Sequence, residues 1–72
     1  MLKMDIRNLL LDHNYTNFNG FFYDTYKNYI IHLGEKIEVY DFHGEFLFEN
    51  TYSDVLANEF TYHSFFNKIG LI

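Results

Sequence analysis

Seventy-two residues with no Cys, no Pro, no Trp and a formal charge of −5 describe one small domain, residues 1–72, that no disulfide or thiolate metal site can brace. The shortage of Lys and Arg excludes sequence-independent binding to nucleic acid, which needs basic side chains to replace counterions, and docking on anionic membranes. What remains to stabilise so short a chain is aromatic mass, nine Phe and seven Tyr, or surface shared with a second copy, so a homodimer is open.

The start, "MLKMDIRNLLLD", carries Lys3, Asp5 and Arg7 through an apolar pattern. It reads as an amphipathic helix rather than a signal peptide. Ile6, Leu9 and Leu10 fit one helix face. No apolar run approaches a membrane span. With the absence of Cys, this points to a cytoplasmic protein. The following "DHNYTNFNG" ends the helix with turn-forming Asn and Asp, and Tyr15 and Phe18 are expected to fold back onto the core.

"FFYDTYKNYIIHL" is rich in aromatic and β-branched residues. It reads as one long strand, or as a strand bent near Asp24 to Asn28. Phe21, Tyr23, Thr25, Lys27, Tyr29, Ile31 and Leu33 alternate with Phe22, Asp24, Tyr26, Asn28, Ile30 and His32. Both faces carry aromatics, so an apolar patch is expected to stay open for a partner or a second copy. "KIEVYD" and "EFLFENT" follow as two shorter strands. They are joined through "DFHGE", where Asp41 opens a turn and Gly44 takes the left-handed position.

The last element begins at "TYSD", with Thr51 as N-cap and Asp54 in the place of a capping-box acid. Residues 52 to 69 read as one helix ended by Gly70. Its broad face holds Val55, Leu56, Glu59, Phe60, Tyr62, His63, Phe66 and Ile69. Phe65 falls on the polar side, either as an exposed anchor or covered by the N-terminal segment. The fold class is α+β: a small two-layer domain with an N-terminal helix, a three-stranded antiparallel meander and a C-terminal helix, αβββα.

The segment "EKIEVYDFHGEFLFEN" gathers Glu35, Glu38, Asp41, Glu45 and Glu49 against Lys36. With Ile37, Val39, Phe46 and Phe48 turned to the helices, Glu38, Tyr40, Glu45, Leu47 and Glu49 face outward. This acidic face has two readings: a solvated surface that keeps the chain soluble, or an interface for a basic partner. The partner-binding candidates are Glu38, Tyr40, Asp41, Glu45, Leu47, Glu49 and Phe65. Asp41, His43 and Glu45 lie within one turn, but no H-x-x-x-H or H-E-x-x-H spacing accompanies them, so no metal site is assigned. There is no G-x-S-x-G, no Cys nucleophile and no phosphate loop, so neither an enzyme nor a cofactor is expected.

Phe, Asn, Tyr and Ile are abundant, as they are in proteins from AT-rich genomes such as those of low-GC bacteria and their phages. Small, acidic and aromatic-rich, the chain resembles in general type the phage and mobile-element proteins that inhibit one host protein, some of them by mimicking DNA. That likeness implies a non-enzymatic protein-binding module, acting on a host protein with a basic, nucleic-acid-handling surface. The alternative is a structural or regulatory homo-oligomer assembled through aromatic surface.

Overall fold

The computed structural model describes residues 2–24, 26 and 28–71, with the side chain of Leu2 left aside. In chain order the elements are α1 (Leu2–Asp12), β1 (Thr16–Phe18), β2 (Phe21–Tyr23), β3 (Tyr29–Leu33), β4 (Ile37–Asp41), β5 (Phe46–Asn50), α2 (Tyr52–Ala57) and α3 (Glu59–Lys68). The five strands form one antiparallel sheet in sequential order, β1-β2-β3-β4-β5. The domain is α+β, but the three-stranded meander and the single C-terminal helix expected from the sequence are both corrected.

The extra hairpin comes from "FNGF". Phe18 pairs with Phe21 across a two-residue loop, in which Asn19 has φ 53° and Gly20 φ 82°. Two consecutive positive φ values make the mirror-image turn that matches strand twist, and Asn-Gly is its preferred pair. Residues 21 to 33 are therefore two strands, β2 and β3, divided where the sequence allowed a bend, and Thr16–Phe18 adds a further strand ahead of them. Asp24, Tyr26 and Asn28 lie outside the strands, and the face positions expected for Thr25 and Lys27 lie outside the described residues.

The helix after Thr51 breaks at Asn58. Thr51 accepts the Asp54 backbone N–H at 3.1 Å, as an N-cap should. Seven residues after Thr51 the backbone of Asn58 turns extended (φ −118°, ψ 112°). Its side chain accepts the Thr61 N–H at 3.1 Å and opens α3. Removing this cap by Asn58→Ala is expected to cost about 1 kcal/mol, read as a lower urea midpoint with unchanged slope. Wild-type stability in that variant would show that the break is set by packing alone. Beyond α3, Gly70 (φ 77°) donates to Asn67 O at 3.0 Å and Leu71 N–H to Phe66 O at 2.9 Å. This pair of bonds closes a helix end around a glycine.

The break changes the phase of the helix surface. Phe60, expected on the core face, is 82% exposed, and Phe65, expected on the polar side, is 1% exposed. Glu59 and His63 also lie in solvent, 3.9 Å apart as an i, i+4 pair. The core gathers Ile6 and Leu10 of α1, Val55 of α2, and Phe65, Phe66 and Ile69 at the chain end. These pack against Phe22, Ile31, Leu33, Ile37 and Val39 of the sheet. All three helices therefore cover one sheet face. Tyr15 folds into this core at 4% exposure, whereas Phe18 stays 63% exposed.

The Tyr15 hydroxyl is buried without a hydrogen-bond partner. Burial first, then the negative charge of Asp24 and Tyr29, pushes its pKa well above the ordinary tyrosine value. Tyr52 shifts the same way, through burial and then Glu38. The folded state thus keeps protons that unfolded tyrosines lose near pH 10. Stability is full below that pH and falls as pH rises above it. Tyr15→Phe gives up no hydrogen bond, so it is expected to match or exceed wild-type stability at pH 7 and to flatten the alkaline decline. Urea melts at pH 7 and about pH 11 decide this; an unchanged alkaline slope contradicts it.

Candidate protein-interaction face

The strand registers place two rows of side chains on the face that no helix covers. Phe18, Phe21, His32, Glu38 and Glu49 form one row, and Thr16, Tyr23, Ile30, Tyr40 and Phe46 the other. Among the large apolar side chains, Phe18 (63%), Phe46 (50%) and Phe21 (37%) remain exposed. Phe42, in the β4–β5 turn, meets Tyr23 edge-on with ring centroids 6.3 Å apart. The face is thus chiefly aromatic, with carboxylates confined to its β4–β5 corner.

Phe46 reaches this face through a one-residue irregularity. Val39 pairs with Phe48 but Tyr40 pairs with Phe46, so Leu47 is the extra residue of a β-bulge. A single inserted residue reverses the alternation on one side of it. Phe46 therefore stands beside Tyr40, their centroids 5.7 Å apart in an edge-to-face contact, rather than under the helices as regular alternation predicts. Phe48 stays on the core side, edge-on to Phe65 at 5.9 Å. Leu47 is 44% exposed.

Of the five carboxylates of the hairpin segment, three are engaged within the chain. Glu38 Oε1 meets His32 Nδ1 at 2.7 Å, and the His32 ring stacks on Phe21 at 4.7 Å and 27°. Gly34 leaves room for this ring: a Cβ there would come within 3.0 Å of His32 Cε1. Glu49 Oε2 meets Lys36 Nζ at 3.0 Å. The hydrogen bond to Glu49, and then that residue's charge, raises the Lys36 pKa. Asp41 accepts the backbone N–H groups of His43 and Glu45, both at 2.9 Å, and so builds the turn. Glu35 and Glu45 are exposed and stand at the ends of the hairpin.

The candidates named from sequence thus separate. Glu38, Tyr40 and Glu49 belong to the open face, and Phe46, Phe21, His32 and Phe18 join them. Glu45 and Leu47 are exposed beside it. Asp41 serves the turn, and Phe65 is a core residue. One signal could have found Phe18 and Phe21. Asn19-Gly20 specifies a hairpin that brings Phe18 onto Phe21, and that hairpin extends the face by two strands.

A cleft of about 580 Å³ at one end of the sheet has Asp24, Asp41, Tyr29 and His13 among its walls. Both carboxylates already hold loop backbone, Asp24 accepting the Tyr26 N–H at 3.1 Å and Asp41 as above. His13 Nδ1 meets Leu9 O at 2.8 Å. These groups shape loops and a helix end. Among the described residues no three His, Cys, Asp or Glu side chains are gathered to hold a metal ion, and no helix is long and apolar enough to cross a membrane.

Compared with protein-family models, curated proteins and solved structures, the chain has no match in any of the three.

Proposed function

We propose that the chain is a non-enzymatic protein-binding module. It docks its open sheet face on a protein with a basic surface, of the kind nucleic-acid-handling proteins carry, and so occludes that surface. The observation that carries this reading is the uncovered aromatic double row, from Phe18 on β1 to Phe46 on β5. Large aromatic side chains are the usual anchors of protein interfaces. The net charge of −5 favours a basic partner and speeds the encounter. The sheet edges are less suited to docking. β1 has three residues, and β5 carries the bulge, with Lys68 lying 4.8 Å over Phe48 beside it. Short and bulged strands discourage pairing along an edge.

The test is a comparison of three proteins in the same capture and binding-kinetics experiment. Wild type and Phe60→Ser, which changes an exposed side chain on α3, are expected to hold the same basic partner. Phe21→Ser combined with Phe46→Ser is expected to lose it. Retention of the partner by the double variant overturns the assignment of the face.

Self-association through the same face is a second reading, favoured by one observation. Glu38 is hydrogen-bonded to His32 and Glu49 is paired with Lys36 of the same chain, so two copies would not oppose unpartnered carboxylates there. A melting temperature that rises with concentration, with a dimer mass, selects this reading. A monomer with a concentration-independent melt removes it.

A further inference from the structure

The ion pairs at the β4–β5 corner of the face suggest the side chain that a partner brings. Glu38 and Glu49 are direct cross-strand neighbours, a placement that is unfavourable unless each carboxylate has a partner beside it. The chain supplies His32 to Glu38 and Lys36 to Glu49, and the two are held differently. His32 is fixed by Glu38 on one side and by stacking on Phe21 on the other. Lys36 is held only at its tip, by Glu49 at 3.0 Å, and half of its side chain is in water. Such an exposed pair contributes little stability and opens readily. One row further along the strands, about 6–7 Å away, lies the Tyr40–Phe46 edge-to-face pair, with Phe46 half exposed.

We infer that this corner is a seat for an arginine side chain of the partner, and that Lys36 occupies it when the partner is absent. The inference rests on the docking reading given above and names its chemistry. A guanidinium is planar. It can lie against the ring of Phe46 or Tyr40 while its N–H fork reaches the Glu49 carboxylate. The two requirements are one row apart, within the span of an arginine head and stem. A lysine ammonium satisfies the carboxylate as a point charge but lacks the flat, weakly hydrated surface that stacks on a ring. As the arginine arrives, Lys36 swings into water.

The experiment is an NMR titration with two blocked pentapeptides that differ only in side chain, Gly-Arg-Gly-Arg-Gly and Gly-Lys-Gly-Lys-Gly, at about 0.05 M salt to limit screening. The arginine peptide is expected to bind about fivefold tighter, with shifts centred on Tyr40, Phe46 and Glu49. Glu49→Gln and Phe46→Leu are each expected to erase that preference. Lys36→Gln is expected to tighten arginine-peptide binding about two- to threefold, because it removes the resident competitor. Equal affinity for the two peptides, or weaker arginine-peptide binding by Lys36→Gln, overturns the inference. The two claims fail separately. Equal peptide affinities, with the partner lost by the Phe21→Ser, Phe46→Ser variant, discard the arginine seat and leave the docking face. A partner retained by that variant discards the docking face whatever the peptides do.

Discussion

Phe65→Ala is expected to remove most of the stability of the domain. The ring is 1% exposed and is held edge-on by Phe48 at 5.9 Å and Phe66 at 5.0 Å. It therefore ties β5 to α3. Truncating a buried Phe costs about 3–5 kcal/mol, because the loss of transfer energy is joined by the cavity left behind. A domain of this length has about 4–11 kcal/mol in all. The melting temperature should fall by roughly 15–30 °C. Phe60→Ala, five positions earlier and largely in water, should shift it by no more than a few degrees. Calorimetry of the two variants side by side settles the helix phase. A small shift for Phe65→Ala with a large one for Phe60→Ala would place the wrong face of α3 in the core.

The second large effect is on binding. Phe21→Ser with Phe46→Ser should weaken the partner complex by at least about thirtyfold, the loss that one interface hot spot produces. Most of the change should appear as faster dissociation, since short-range contacts set the lifetime of a complex. Neither ring is part of the buried core, so the melting temperature should move little. Replacing Glu35 and Glu45 with Gln should instead slow association and reduce its salt dependence, with dissociation nearly unchanged. If the charge variant alone shortened the lifetime of the complex, the anchors would be the carboxylates rather than the rings.

Much of the architecture was legible because its signals are local. Thr51, Gly44 and Gly70 each demand one backbone state, and each marks the boundary it should. The buried alternation Ile37, Val39 is likewise direct. Asn19-Gly20 is as strong a local signal, but it sits between aromatics in a segment that also reads as a fraying helix end. Its pairing needs three strand residues on each side to be seen as a ladder. Asn58 was hidden because the apolar spacing on either side continues through it; a helix break without Pro or Gly leaves no gap in the pattern. The bulge at Leu47 is the least legible feature. One extra residue carries no composition of its own, yet it decides that Phe46 meets Tyr40 and not the core. The acidic hairpin was visible as a sequence but not as a surface, since the matching of Glu38 by His32 and of Glu49 by Lys36 depends on cross-strand register.

Every strand of the sheet is bonded to the one before it in sequence, so no β pairing waits for a distant segment. Closing each hairpin costs little chain entropy, and such local topologies fold quickly. With no Pro in the chain, refolding lacks the isomerisation phase of tens of seconds. The exception is α1, which packs against α2 and shares its core with residues from the other end of the chain. During synthesis the hairpins can pair in turn as they emerge, while Ile6 and Leu10 have only the sheet side of their seat until α2 and α3 have cleared the ribosome. The earliest of these elements is then the last to complete its packing, and the meander is the template on which α1 meets α2 and α3.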